Sequence, residues 1–397
     1  MKFNSIKIKS LLLSSRFSIL KWDKSIPTEI VSNCIACTNK LEPICALRSS
    51  STTVRIGFCN KCGYVGYMDR PTKTWINNYY SLSWDKDFIR SKGMMKRDVV
   101  LPKGKIKGTR RSAFLATAEL KVDKDRGVCD IGSGYGQVMK NFQMSGFKKI
   151  VGVETSQHRA SLVNEVFGFD VIYGDFGSIK VEDTLKKYAP FGVMFCHHVF
   201  EHVYDPASVV SSMSKLQEEG DYAVFSVPNF LGEHINYVSL YLSHLHSFGK
   251  KSMEILFNRF NYELIEDKSN TETNLLLIFR KTTNLSVRLN HEHLSKDLIL
   301  KRIRNGLGLE QYKNTNLHTL RWEQRAEGGD YALAIPLSFN KFVANLNWLV
   351  KQTISYFKSR VLHRATAYHI LLVQPVYKNA EFPQEIWFDD EVFMLIK

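Results

Sequence analysis

The stretch VCDIGSGYG, residues 128–136, is an apolar run that leads directly into three glycines at alternating positions. Residues 137–144 follow with helical periodicity. This order predicts a strand, a tight turn and a helix, with bare backbone above the helix N-terminus against which a ligand can lie. A nicotinamide dinucleotide fingerprint would need a third glycine where the chain has Gln137. The pattern therefore predicts a ligand site and argues against a nicotinamide enzyme.

Further apolar runs alternate with helical stretches after this turn. They cover residues 150–153, 171–173, 193–196 and 222–227. The alternation is typical of βαβ units, which build a parallel sheet with helices on both faces. Two last runs, 262–265 and 274–280, are separated by a short polar stretch and predict an antiparallel hairpin that closes the sheet. The expected fold class is α/β.

Two carboxylates follow the next strands. Glu154 ends the second run, where an acid at a strand tip can accept both hydroxyls of a ribose. Asp175 ends the third run beside Phe176, which together offer an adenine ring a polar edge contact and an apolar face. Because ligands of open α/β sheets bind at the carboxyl ends of strands, we expect both acids to lie beside the glycine turn.

The fourth run ends in HVFEHVYDP, residues 198–206. Its first five residues spell an inverted zinc-protease motif, but a protease would require a helix and a third ligand. Two alternatives stay open. His198, Glu201 and His202 hold a divalent metal beside an acceptor, or His198 and Glu201 form hydrogen bonds that fix the turn after the strand.

Four cysteines form two pairs, each with two residues between its members. They are Cys34, Cys37, Cys59 and Cys62. Such knuckles suit tetrahedral zinc, and four protein ligands leave no open position, so the predicted role of the metal is structural. Disulfides or free thiols are the alternative. An odd total of seven cysteines argues against disulfides.

The net charge of +15 is confined to the N-terminal third of the chain. Residues 1–126 hold 25 Lys and Arg against 10 Asp and Glu, whereas residues 127–397 hold 29 of each. The excess is greatest in residues 92–111, which predicts either an anionic partner or a solvated basic linker. A hydrophobic fraction of 44% indicates a folded protein, and no apolar run approaches the roughly 18 residues of a membrane span. With no secretory signal recognised, we expect a cytoplasmic protein.

Taken together, the glycine turn, Glu154, Asp175 and the segment 198–206 resemble class I S-adenosylmethionine-dependent methyltransferases. Pro228-Asn229 and residues 246–248 are similar to one branch of that family, with a His-Val-Leu-Glu-His-Val type sequence after its fourth strand. The cysteine module followed by Tyr79-Tyr80 resembles modules fused to methyltransferases of sugar, surface-glycan or secondary-metabolite pathways.

The resemblance implies a Rossmann-like seven-stranded sheet and a set of binding residues. The methionine part of the cofactor would be held by Asp130, Gly132, Ser133, Gly134 and Gly136. Glu154 would bind the ribose, Asp175 and Phe176 the adenine, and His197 would line the pocket.

The resemblance also implies a function, which is methylation of a sugar, sugar nucleotide or glycan precursor, an acceptor that we expect to be anionic. A hydroxyl acceptor benefits from a general base, for which we select His202 or His246, with His244 behind them. An RNA methyltransferase is the alternative, because a zinc ribbon and a basic N-terminal third also suit nucleic acid. A cofactor-binding scaffold without activity is the third possibility.

These assignments divide the chain into five parts. They are an N-terminal extension (1–29), a zinc-ribbon module (30–70), a basic and helical linker (71–126), the methyltransferase domain (127–282) and a C-terminal α+β extension (283–397). Within the last part, residues 342–361 have helical periodicity and lie between predicted strands at 331–335 and 368–373.

Overall fold

The structure of the chain is a computed structural model. It describes residues 26–48, 53–83, 106, 108–230, 244–269, 274–284 and 296–299. Five short strands between residues 322 and 394 are described as backbone. Among the described residues no helix is long and apolar enough to cross a membrane.

An N-terminal module contains five short strands and one helix. They are β1 Thr28–Ile30, β2 Glu42–Arg48, β3 Thr53–Phe58, β4 Val65–Tyr67, β5 Asp69–Pro71 and α1 Lys73–Asn78, which a π-helical turn at Tyr79–Ser83 extends. Strands β2, β3 and β4 form an antiparallel ladder, and β1 pairs with β5. The first cysteine pair lies between β1 and β2 and the second between β3 and β4, so each pair is in a loop of this module.

An α/β core follows the module. Its elements are α2 Gly108–Ala118, β6 Gly127–Ile131, α3 Gln137–Met144, β7 Ile150–Glu154, α4 Gln157–Phe167, β8 Asp170–Tyr173, α5 Ile179–Leu185, β9 Phe191–His197, α6 Pro206–Leu216, β10 Tyr222–Pro228, β11 His246–Ser247, α7 Lys250–Asn258, β12 Tyr262–Asp267 and β13 Asn274–Lys281. Every core strand that the sequence predicted is present, and so is the closing hairpin.

The core sheet has the strand order β12-β13-β10-β9-β6-β7-β8. Strands β6 to β10 are parallel, and β13 runs antiparallel to β10. Because helices cover both faces, the central strands β6, β9 and β10 are buried along almost their whole length, which explains their continuous apolar sequence. The carboxyl ends of β6 to β10 therefore meet at one edge, as the Rossmann-like α/β fold requires.

N-cap residues begin two of the helices that follow this edge of the sheet. The Ser156 side chain accepts from the backbone N–H of Arg159 and starts α4, and Asp205 caps α6 ahead of Pro206. Gly168, in the left-handed conformation, ends α4. These capping residues set where α4 and α6 begin and where α4 ends.

The C-terminal region contributes five described strands. They are β14 Trp322–Gln324, β15 Asp330–Leu333, β16 His369–Leu372, β17 Glu385–Phe388 and β18 Glu391–Met394. Strands β15 and β16 fall where the sequence predicted strands, and they pair in parallel. Strand β17 joins β2 and pairs on its other side with β18, and β11 joins β4, so these three strands extend the ladder of the N-terminal module to six strands. The helix predicted over 342–361 lies outside the described residues, as do residues 92–105 and Lys107 of the basic segment.

Candidate functional site

Asp130 lies in β6 at the edge where the parallel strands end. Its side chain is 3% exposed, and among the described residues its Oδ2 atom has no hydrogen-bond partner. Burial raises the pKa of this carboxyl to about 7, opposed by the charge of Arg110 and assisted by that of Glu154. A buried acid without a partner is costly, and a bound cation would neutralise it.

The glycine turn that follows contains three residues with positive φ. The angles are 72° at Gly132, 57° at Gly134 and 72° at Gly136. A Cβ at Gly132 would lie 2.3 Å from Cγ2 of Val199, so the turn packs directly on the loop after β9. At Gly134 a Cβ would meet no described atom within 4 Å. The backbone at Gly134 therefore borders an open space at the mouth of the turn.

Glu154, at the end of β7, holds the turn in place. Its Oε2 accepts from the backbone N–H of Gly134 at 2.9 Å, and its Oε1 accepts from that of Ser156 at 3.0 Å. The Oγ of Ser133 is buried and has no partner in the described part of the chain. Asp130, Ser133 and Glu154 thus lie around the glycine turn, and Glu154 contacts it directly.

The two residues predicted to hold an adenine have different environments. Asp175 follows β8 at the same edge, and burial raises the pKa of its carboxyl, opposed by Lys73. Phe176 is buried within the main apolar core, so most of its ring packs against protein. The placement of Asp175 fits a polar contact, whereas Phe176 is foremost a core residue.

His197 ends β9 and also reaches this edge. Its Nε2 lies 3.0 Å from the hydroxyl of Thr109 on α2, and within the described chain its buried Nδ1 has no partner. Burial lowers the pKa of His197 to about 2, and His198 and Arg110 act in the same direction. The imidazole is therefore neutral, with one buried nitrogen that has no partner among the described residues.

Next to His197 lies a group that we call the histidine cluster, formed by His198, Glu201, His202 and His244. Glu201 is 2% exposed, and its Oε1 lies 3.4 Å from Nδ1 of His198 and 3.7 Å from Nε2 of His202. Burial alone would raise the pKa of Glu201, but the imidazoles of His202, His198 and His244 hold it at about 2. Glu201 is therefore a buried anion.

Two more contacts of His202 complete the description of the cluster. The ring of His244 lies 4.7 Å from that of His202, and the hydroxyl of Tyr80 lies 2.8 Å from Nδ1 of His202. The sequence analysis cited Tyr80 only with Tyr79, after the cysteine module, and placed His244 behind the other histidines. The contact between Tyr80 and His202 was not predicted, because the two residues are 122 positions apart.

His246 is a correction to the sequence prediction. Its Nδ1 lies 2.6 Å from the hydroxyl of Tyr64, and its Nε2 lies 2.8 Å from the carbonyl oxygen of Val203. The carbonyl requires Nε2 to donate, so Nδ1 accepts from Tyr64 and both nitrogens are occupied. Burial and then Arg70 lower the pKa of His246 to about 3. His246 therefore joins the N-terminal module to the core and has no nitrogen left to act as a base.

The four predicted metal ligands converge in the N-terminal module. The sulfurs of Cys34, Cys37, Cys59 and Cys62 all lie within 4.8 Å of one another. Two of the separations are 3.4 Å, far longer than the roughly 2.05 Å of a disulfide and close to the roughly 3.8 Å expected for sulfurs around one zinc ion. The amide of Asn39 lies 3.2 Å from Sγ of Cys37, as suits a thiolate acceptor. Cys129 and Cys196 are buried in core strands, apart from this group.

Comparison with known proteins agrees with this geometry. Residues 108–267 match the family model described as a methyltransferase domain. A ubiquinone biosynthesis O-methyltransferase of Bordetella bronchiseptica is 26% identical over 104 residues, which are 26% of this chain and 42% of that protein. The chain thus spans less than half the length of this curated relative.

Solved structures of low identity are similar to part of the chain. A chain from the complex between the Trm112 methyltransferase activator and a methyltransferase of Haloferax volcanii is 13% identical, with a TM-score of 0.38, over 45% of this chain and 90% of that one. An S-adenosylmethionine-dependent methyltransferase of Mesorhizobium loti is 12% identical, with a TM-score of 0.35, over 43% and 98%. The family match identifies the α/β core as a class I S-adenosylmethionine-dependent methyltransferase domain.

Proposed function

We propose, from the class I methyltransferase domain at residues 108–267, that the protein transfers a methyl group from S-adenosylmethionine to a hydroxyl of a small acceptor. The observation that supports this most directly is the open backbone at Gly134, beside the unpartnered side-chain atoms of Asp130 and Ser133. A ligand that carries a cation and hydrogen-bond donors would satisfy these atoms. The α-ammonium of the cofactor is such a cation.

Each residue at this edge then has a distinct task. Asp130 binds the ammonium, Ser133 and the glycines Gly132, Gly134 and Gly136 surround the methionine part, and Glu154 accepts from the ribose hydroxyls. Asp175 binds the edge of the adenine, with Phe176 beneath it, and His197 borders the pocket. When bound, the cofactor supplies an electrophilic methyl group on its sulfonium, so the protein chiefly positions the acceptor in line with it.

The acceptor is proposed to approach from the histidine cluster, which adjoins His197 where β9 ends. His202 is the residue that we expect to contact the acceptor hydroxyl, because Tyr80 and Glu201 fix its ring from two sides. An oxygen acceptor agrees with the name of the ubiquinone biosynthesis O-methyltransferase to which the chain is similar. The sugar, sugar nucleotide or glycan precursor is proposed from the resemblance of the cysteine module. The exposed Arg110 and Arg111 on α2 would favour an anionic acceptor.

The four cysteines are proposed to bind one structural zinc ion. Four sulfurs that converge without disulfide bonding, with an amide donor on Cys37, form a suitable donor set. Arg259, directly after α7, donates to the carbonyl oxygens of Ile35 and Ala36, both at 2.9 Å. The zinc would therefore stabilise the loop that attaches the module to the methyltransferase domain. Zinc-bound thiolates suit the reducing cytoplasm, where we place the protein.

A labelled-methyl assay tests the proposal. The purified chain is incubated with methyl-labelled S-adenosylmethionine and with sugar nucleotides, free sugars and other hydroxylated acceptors, and Asp130→Ala serves as the blank. We expect label in a hydroxylated acceptor with the native chain and none above background with the blank. If nuclease treatment releases the label, the acceptor is RNA and not a sugar. Cofactor binding without transfer to any acceptor or cell extract would favour a scaffold.

A further inference from the structure

Tyr204 joins the methyltransferase domain to two strands of the N-terminal module. It lies between β9 and α6, two positions after His202. The guanidinium of Arg70, in β5, lies over the ring of Tyr204, with 3.9 Å between its central carbon and the ring centroid. The hydroxyl of Tyr204 donates to Oε1 of Glu29, in β1. The side chain of Tyr204 is therefore held by both strands of the β1–β5 ribbon.

Arg70 makes this junction with three of its donors. Its Nε and Nη2 donate to Oε1 of Glu29, at 3.1 Å and 2.6 Å, and its Nη1 donates to the carbonyl oxygen of Tyr204 at 2.9 Å. The side chain of Arg70 is 12% exposed, so these charge-assisted hydrogen bonds are largely shielded from water. A lysine at this position would carry the same charge, but it lacks the planar fork that reaches both partners.

The stretch that carries His202 begins with a strained residue. We call residues 198–204, between β9 and the cap of α6, the linking segment. His198 has a positive φ of 51°, a conformation that is uncommon for residues other than glycine and persists where the surrounding structure holds it. At the far end of the segment, Tyr204 is held by Arg70. His202 lies between these two ends, so the position of its imidazole depends on a contact that the module supplies.

We propose that Arg70 is a positioning residue for methyl transfer, because it holds Tyr204 and thereby fixes the linking segment with His202. The N-terminal module is then a part of the acceptor side of the site. Since the protein chiefly holds the acceptor in line with the methyl group, a displacement of His202 should lower the rate and leave cofactor affinity unchanged. This catalytic consequence rests on the proposed contact between His202 and the acceptor, whereas the fixing of the segment does not.

Amide hydrogen exchange measures the fixing of the segment without turnover. In the full chain, Arg70→Lys should speed exchange in the linking segment at least about tenfold and leave exchange in β6 unchanged. Arg55→Lys is the matched control, because Arg55 donates from Nε and Nη2 to Asp69, at 2.8 Å and 2.6 Å, within the module. It should leave the linking segment unchanged. Tyr204→Phe keeps the ring and loses only the hydrogen bond to Glu29, so it should speed exchange about threefold.

Calorimetric titration with S-adenosylmethionine and initial rates of label transfer give the catalytic readout. The Kd of S-adenosylmethionine should agree within about twofold among the native chain and the three variants. For the acceptor that the labelled-methyl assay identifies, Arg70→Lys should lower kcat/KM at least about tenfold, and Arg55→Lys should not.

Three results would overturn the proposal. They are equal exchange of the linking segment in the native chain and Arg70→Lys, an equal increase in Arg55→Lys, and an unchanged kcat/KM in Arg70→Lys. If Arg70→Lys does not fold, the same comparisons with Tyr204→Phe decide. Faster exchange in Arg70→Lys together with no methyl transfer by the native chain would confirm the fixing of the segment and contradict only the proposed function.

Discussion

The hydroxyl of Tyr64, in the loop after the second cysteine pair, lies 2.6 Å from Nδ1 of His246 in the methyltransferase domain. His246 in turn donates from Nε2 to the carbonyl oxygen of Val203, one residue after His202. A chain of two hydrogen bonds thus runs from the cysteine module to the segment that contains the histidine cluster. The module therefore helps to position that segment.

The first prediction concerns this link. Tyr64→Phe removes the donor and leaves the buried Nδ1 of His246 without a partner, which should lower the free energy of unfolding by about 1–3 kcal/mol. Chemical denaturation measures the loss. Tyr173→Phe is the control, because that tyrosine is 49% exposed and the change should cost little. Equal stability of the two variants would show that the hydrogen bond does not contribute.

A second substitution, Gly66→Ala, tests the same hydrogen bond between Tyr64 and His246. A Cβ at this position would lie 2.3 Å from the hydroxyl of Tyr64, whose ring is buried, so that moving it disturbs the packing around it. We expect the alanine to displace Tyr64 and to destabilise the chain at least as much as Tyr64→Phe. In the double variant the two effects should not add, because both changes break one interaction.

Much of the fold could be predicted from local sequence, but the histidine cluster could not. Periodicity and strand-end chemistry place Asp130, Glu154 and Asp175 at one edge, since each lies just where an apolar run ends. The roles of His246, Tyr80 and His244 depend instead on partners far away in the sequence, such as Tyr64, which is 182 positions from His246. No local pattern specifies such contacts, so a motif such as HSF at 246–248 indicated a base where the fold uses a structural histidine.

The second prediction is a pH dependence at Asp130. Its pKa rises from 3.8 to about 7 in the folded chain because of burial, so between these values the folded state binds a proton that the unfolded state has lost. Stability should therefore fall as pH rises through this window, by up to about 4 kcal/mol from this group. Asp130→Asn should be more stable than the native chain at pH 8 and similar near pH 4.

Comparing the two proteins at each pH cancels the other titrating groups, so denaturation curves at several pH values isolate Asp130. A stability difference that does not change with pH would contradict the assigned burial. The same variant should bind S-adenosylmethionine much more weakly at every pH, because it cannot become an anion. In the native chain, affinity should decline as the pH falls below 7.

The third prediction concerns the cysteine module. Cys62→Ser should reduce the tightly bound zinc by one ion per chain and make residues 30–70 sensitive to limited proteolysis, because the zinc would hold both knuckles together. Cys129→Ala tests whether any buried cysteine has this effect. That residue lies in β6 and should leave the zinc content unchanged. Full zinc content in Cys62→Ser would argue against the four-cysteine site.

The fourth prediction separates backbone strain from ligand contact at the glycine turn. Gly134 and Gly168 both have positive φ, 57° and 71°, and a Cβ at either would meet no described atom within 4 Å. Alanine at each should therefore cost a similar amount of stability, about 1–2 kcal/mol. Only Gly134 borders the proposed cofactor position, so only Gly134→Ala should weaken S-adenosylmethionine binding, by at least about tenfold or 1.4 kcal/mol. Calorimetric titration of both variants measures this, and equal affinities would place the cofactor away from the turn.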